Sequence, residues 1–156
     1  MPFPRGSNSV VHILIPLSRF APLLSQSATR ESPSRVIITG SVAGIGVGSL
    51  GENATFSYST SKAAVLHLTR NLALELGPRH ILCNALAPGF FPSKMASGLI
   101  EKQGGLKALE DESPNKRLGR PEDIAGAVVY LASRAGSHLN GATIVLDGGS
   151  VLKNKL

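Results

Sequence analysis

Two residues with complementary chemistry stand four positions apart in Tyr58-Ser-Thr-Ser-Lys62, and a hydroxyl residue, Ser41, precedes them. Side chains at i and i+4 share one face of a helix. A lysine ammonium beside a phenol favours the phenolate, by ~1.4 kcal/mol for each unit by which the phenol's pKa falls. A phenol tuned in this way can donate or accept a proton near neutral pH. Such a pair also arises by accident on many helices, so its weight comes from the short motifs around it. Arg35-Val-Ile-Ile-Thr-Gly-Ser41-Val-Ala-Gly44 puts Ser41 just past a β-branched run. Downstream follow Asn84-Ala-Leu-Ala-Pro88-Gly89, Ser93, Gly119-Arg-Pro121-Glu-Asp123, Asn140-Gly141 and Asp147-Gly148-Gly149.

The elements that must hold these residues read as an alternation. Residues 1–9 are rich in Pro, Gly and Ser and read as irregular. Val10 to Ser27 is apolar and reads as a mostly buried helix, with Pro16 and Pro22 arguing for kinks or a late start. Arg35 to Thr39 is a short strand, and Gly40 to Ser57 a glycine-rich loop. From Tyr58 to Leu76, apolar residues recur at helical spacing until Gly77-Pro78 stops them. Ile81 to Ala87 is the next strand. Pro88 to Pro114 is a mixed segment with a short helix in its middle. Pro121 opens a helix to about Ser133, with Glu122 and Asp123 suited to its N-terminal dipole. Thr143 to Leu146 is a last strand, and residues 151–156 form a tail. Helix, strand, helix, strand, helix, strand implies parallel strands with right-handed crossovers, an α/β layered sheet.

Composition narrows the function classes. The 156 residues are 42% hydrophobic and 17% charged, enough for one domain with a real core rather than a disordered chain. The net charge of +6 is scattered, with only Lys116, Arg117 and Arg120 loosely grouped, so no nucleic-acid face is expected. Those arginines are expected to carry solvated charge, as are Glu110, Asp111 and Glu112. Cys83 is the single cysteine, which excludes an internal disulfide, offers no metal-site spacing and fits a reducing compartment. It is expected to lie buried and inert. His12, His67, His80 and His138 have no ligand spacing, and no metal is expected. Arg5 followed by Val10 to Leu17 imitates a signal peptide, but no clean cleavage pattern follows, and the run is too short to span a bilayer. The expectation is therefore a cytoplasmic protein that does not enter the membrane.

The ordered motifs, from about Val10 to Gly149, resemble the short-chain dehydrogenase/reductase family. The chain looks most like its 3-oxoacyl-carrier-protein reductases of the rhamnolipid-synthesis type. The resemblance implies the C-terminal part of a doubly wound, Rossmann-like parallel sheet, with residues 10–150 as the catalytic half. It implies an oxidoreductase moving a hydride between NADP or NAD, with NADP favoured, and a small carbonyl or alcohol substrate. Ser41 would hold the substrate oxygen, Tyr58 would exchange the proton, and Lys62 would support the phenolate and bond the nicotinamide ribose. Pro88, Gly89, Phe91 and Ser93 would line the cofactor, Ser93 standing where the family usually has Thr. Lys94 to Ser113 would match a substrate lid. A homo-oligomer through the Tyr58 helix, the helix before it and the last helix-strand pair is implied as well.

One run imitates a second site. Thr39-Gly-Ser-Val-Ala-Gly44-Ile-Gly46 fits TGxxxGxG, and Gly46-Val-Gly48-Ser-Leu-Gly51 fits GxGxxG, the turn that cradles a dinucleotide phosphate. Such a turn must feed a helix whose N-terminus faces the phosphate. The residues after Gly46 show no helical pattern, and Tyr58 follows after 12 positions. The run therefore reads as the Ser41 substrate loop. The cofactor's phosphate loop is then expected to be absent, along with the residues that choose between NAD and NADP. The family's relay Asn would fall near residue 9, where this chain has Ser9 with Asn8 beside it, a departure from the family's pattern at the relay. Two consequences are expected: an exposed sheet edge with bare apolar helix faces, and weak cofactor binding by this chain alone. The rival reading is a non-catalytic fragment that associates with full-length family members.

Overall fold

A computed structural model describes residues 9–47, 54–93, 97–102 and 104–153. Its sheet has three parallel strands, β1 (Ser34–Thr39), β2 (Ile81–Pro88) and β3 (Thr143–Leu146), in the order β1-β2-β3. Ser34 to Thr39 register with Ile81 to Leu86, and Ala85 to Pro88 with Thr143 to Leu146. Parallel neighbours need long crossovers, and helices supply them. The helix α1 (Ser9–Gln26) comes first, α2 (Phe56–Leu76) links β1 to β2, and α3 (Ser97–Lys102), α4 (Gly105–Glu112) and α5 (Pro121–Ala132) lie between β2 and β3.

The middle strand β2 is buried on both faces: Ile81, Cys83, Ala85 and Ala87 of one parity, Asn84 and Leu86 of the other. A near-continuous apolar run is what a parallel strand covered on two sides requires. The helix α2 buries Val65, Leu66, Thr69, Ala73 and Leu76, one helical face, and the hydroxyl of Thr69 donates to the Val65 carbonyl at 3.0 Å. Leu17 of α1, Ala73 and Leu76 of α2, and Ile81 and Cys83 of β2 close a common core. Each large aliphatic side chain buried there contributes about 1.5–3 kcal/mol.

Asn84 is nearly fully buried, and two hydrogen bonds satisfy its amide. It donates to the Leu139 carbonyl at 2.8 Å and accepts from the Ala142 N–H at 2.9 Å. Asn140 mirrors it, accepting from the Cys83 N–H and donating to the Ala73 carbonyl, both at 2.9 Å. The two amides stitch the segment entering β3 to β2 and α2.

The first helix departs from expectation. It runs from Ser9 to Gln26 without interruption through Pro16 and Pro22, and only Leu17 and Ala21 are buried in it. Each proline withdraws one bond from the carbonyl four residues back. Those residues, His12 and Ser18, are exposed, so water can satisfy the freed oxygens. Val11, Leu14, Ile15, Phe20 and Leu23 are likewise exposed. The mostly buried helix expected from sequence is thus a half-covered one, because β1 has no strand on its outer side for α1 to cover among the described residues. No helix among the described residues is long and apolar enough to cross a membrane. Asn8 and residues 48–53 lie outside the described residues.

Candidate active site

In an open parallel sheet, ligands bind outside the carboxyl ends of the strands. Three loops leave that edge here: Gly40–Val47 after β1, Pro88–Ser93 at the end of β2, and the Asp147 turn after β3.

Ser41 is buried, and its Oγ accepts from the Ala43 N–H at 3.2 Å, capping the single 3-10 turn Val42–Gly44. The Oγ–H is left to donate elsewhere. The glycine-rich loop thus contains a short turn, and Gly46 and Val47 lie outside any helix. Gly44 sits flat against α2. A Cβ at this position would lie 2.6 Å from the Lys62 carbonyl carbon and 2.7 Å from the Ala63 nitrogen.

Tyr58 stands in the first turn of α2, which starts two residues earlier than its sequence pattern suggested, and its side chain is 45% exposed. One turn on, the Lys62 ammonium hangs 5.8 Å from the centre of the Tyr58 ring and donates to the Thr39 carbonyl at 3.2 Å. The ammonium is therefore strung between the phenol and the last residue of β1, the strand that delivers Ser41. An ammonium within about 6 Å of a ring centre is attracted by the ring's quadrupole.

Pro88 ends β2, paired with Leu146. The Gly89 N–H donates to the Leu146 carbonyl at 2.9 Å, and a Cβ there would meet Asp147 Cβ at 2.5 Å. The carboxylate of Asp147 accepts from the Gly149 and Val151 N–H groups at 2.9 and 2.6 Å, so Asp147-Gly148-Gly149 is a tied turn. Phe91 is half-buried and Ser93 exposed.

Sequence reasoning missed how the far end of the lid is fastened. The Gly119 N–H donates to the Phe90 carbonyl at 3.0 Å, and the Phe91 ring covers Gly119 so closely that a Cβ would lie 2.4 Å from it. Arg117 grips Asp123 with two bonds, at 2.6 and 2.9 Å, and the Arg120 N–H donates to the same carboxylate at 2.9 Å. The bond from Arg117, then that from the Arg120 backbone, hold the Asp123 carboxyl down at about 2, and the same bond raises Arg117. Solvated charge, the expectation for Arg117, is thereby corrected: its guanidinium is a clamp. The signal available was an acid at the third position of a proline-started helix with an arginine six residues before it. Between these fixed ends lie α3 and α4, where one short helix was expected; Gly104 and Gly105 join them with positive φ of 87° and 90°, conformations that glycine adopts without strain. Of the lid expected from Lys94, residues 94–96 and 103 lie outside the described residues.

Cys83 is fully buried, and burial pushes its thiol up to about 11, so it is inert as expected. His12, His67, His80 and His138 are all exposed.

Parallel strands joined by helices in this order are the alternation of a Rossmann-like α/β sheet. The family model described as enoyl-(acyl carrier protein) reductase matches residues 17–151. Over 141 residues the chain is 42% identical to the rhamnolipids biosynthesis 3-oxoacyl-[acyl-carrier-protein] reductase of Pseudomonas aeruginosa, covering 90% of this chain and 54% of that one. It is also 42% identical over 116 residues to dehydrogenase/reductase SDR family member 4 of Mus musculus, covering 74% and 40%. The solved Pseudomonas aeruginosa RhlG/NADP active-site complex superposes with a TM-score of 0.80 at 41% identity, covering 91% of this chain and 56% of that one. A short-chain type dehydrogenase/reductase from Mycobacterium marinum gives a TM-score of 0.83 at 30% identity, covering 98% and 59%. The chain belongs to the short-chain dehydrogenase/reductase family. It spans about half the length of the curated relatives it matches.

Proposed function

We propose that this chain carries the proton-transfer site of an NADP(H)-dependent oxidoreductase acting on a carbonyl or alcohol substrate. The observation that supports it most is the Lys62 ammonium lying between the Tyr58 ring and the end of β1, 5.8 Å from the ring centre. The donor set suits a nicotinamide nucleotide: Lys62 uses one of its N–H donors on Thr39, and its others would hold a ribose hydroxyl. Pro88, Gly89, Phe91 and Ser93, at the carboxyl edge of the sheet, would form the wall beside the nicotinamide. The cofactor, when bound, supplies or takes the hydride. NADP is favoured because one solved relative that superposes on the chain is a complex with NADP.

This chain's own residues handle the oxygen and its proton. In the reductive direction the Ser41 hydroxyl donates to the carbonyl oxygen, the acceptor side of its Oγ being turned to the Ala43 N–H. Negative charge grows on that oxygen, and the Tyr58 phenol passes its proton there. The Lys62 ammonium stabilises the resulting phenolate. Resemblance to the rhamnolipid-synthesis reductase makes a 3-oxoacyl chain on a carrier protein the first substrate to try, in the cytoplasm, with copies of the chain associating as a homo-oligomer.

Turnover is the test. Tyr58→Phe keeps the ring and removes the proton, so the rate should fall about 10²–10⁴-fold. Equal rates would remove the catalytic assignment. The rival reading, a non-catalytic fragment that associates with longer relatives, draws on the exposed apolar face of α1 and the open side of β1. It predicts no turnover in the wild-type chain and co-elution with a full-length relative.

A further inference from the structure

The glycine-rich run that imitates a phosphate loop contains one glycine whose place is explained by contact, not by a ligand. Gly44 closes the 3-10 turn that Ser41 caps, its N–H donating to the Ser41 carbonyl at 3.0 Å. Against its α-carbon lies bare helix backbone: a Cβ would meet Lys62 C at 2.6 Å, Ala63 N at 2.7 Å and Lys62 O at 2.8 Å. Backbone in the interior of α2 cannot yield as the tip of a side chain can, so any larger residue must push the loop off the helix. Gly46, two positions on, differs: among the described residues its Cβ would meet the far end of Val151 at 3.2 Å and the Val42 oxygen at 4.0 Å. The contact is at Lys62 itself, the residue whose ammonium reaches the Tyr58 ring and the Thr39 carbonyl. Ser41 and Lys62 are thus tied twice, once through Lys62 Nζ to Thr39 and once through Gly44 to the Lys62 backbone.

We infer that Gly44 is a positioning residue: by backbone-to-backbone contact with Lys62 and Ala63 it sets the Ser41 hydroxyl at its working distance from Tyr58 and Lys62. The inference rests on the catalytic reading of those three residues. Adding one methyl group at residue 44 displaces Ser41 without touching a reacting atom, and a displacement of about 1 Å can cost on the order of 100-fold in rate.

The test is a double-mutant cycle on turnover with NADPH and a 3-oxoacyl substrate. Gly44→Ala should lower kcat at least ~10-fold in the wild-type background and by less than ~2-fold when Ser41→Ala is already present, because the misplaced group is then gone. Gly46→Ala should leave kcat within ~2-fold of wild type. An equal loss from Gly44→Ala in both backgrounds would mean general damage and overturn the inference, as would wild-type turnover in Gly44→Ala. If Tyr58→Phe and Ser41→Ala both keep wild-type rates, the catalytic reading itself is what fails. Should Gly44→Ala not fold, or the wild-type chain not turn over, hydrogen exchange on the wild-type chain decides. The Gly44 and Ile45 amides should exchange at least ~10-fold more slowly than in an unstructured peptide, and exchange at the free rate would show the loop undocked and overturn the inference.

Discussion

At the scale of single residues, Arg117 clamps Asp123 in an ion pair 2.6 Å long. Asp123 has its carboxyl held at about 2 against an ordinary 3.8. A carboxyl depressed in the folded state adds stability above its unfolded value, and that stability is lost as pH falls through the folded one. Wild type should therefore exceed Asp123→Asn in urea midpoint at neutral pH, and the gap should close as pH drops from about 4 to about 2. A constant gap over that range would count against the clamp. Gly119 offers a test by shape. Gly119→Ala places a methyl group in the Phe91 ring, so it should raise the KM for NADPH more than it lowers kcat if Phe91 lines the cofactor. These contacts were partly legible in advance. The four-residue spacing of Tyr58 and Lys62 follows from helix geometry, and burial of the lone Cys83 follows from its strand. The clamp was not legible, because charge pairing depends on where the chain folds back. Nor was the role of Gly44, since a glycine's use is visible only when its neighbour is.

The secondary elements were read well where periodicity is strong and less well where context decides. Strands β1, β2 and β3 fall within a residue of their expected bounds, because β-branched and apolar runs between turn residues leave little choice. The helix α1 was read as mostly buried because its residues are apolar, yet burial depends on a partner surface, and apolar residues alone do not supply one. Of the lid, one helix was expected and two short ones are present, since the Gly104-Gly105 break was overlooked. The helix α5 packs across all three strands through Leu131, which is fully buried, while Arg35 at the start of β1 donates to the Leu131 and Ser133 carbonyls at its end. Leu131→Ala should destabilise the fold by about 2–5 kcal/mol, whereas Val129→Ser, on the open face of the same helix, should change it by about 0.5 kcal/mol or less. Chemical denaturation of the two variants side by side checks the contrast.

For the whole molecule, the described residues hold a three-stranded sheet in which β1 has no outer neighbour, and the chain spans about half the length of its relatives. With no glycine-rich turn feeding a helix at a strand end among the described residues, the chain by itself should bind NADPH more weakly than micromolar, and isothermal titration measures this directly. The paired amides of Asn84 and Asn140 carry a different consequence for the molecule as it ages. Asparagine followed by glycine is the dipeptide most prone to lose its side-chain ammonia, by attack of the following backbone nitrogen on the amide carbon. At Asn140 both ends of the amide are engaged, and the attacking nitrogen, that of Gly141, is bonded to the Cys83 carbonyl at 2.8 Å. Folded protein should therefore keep this asparagine through long storage, while partly denatured protein converts it to aspartate or isoaspartate. Peptide mapping of the segment around residue 140 would then serve as a chemical clock for the time each molecule has spent unfolded.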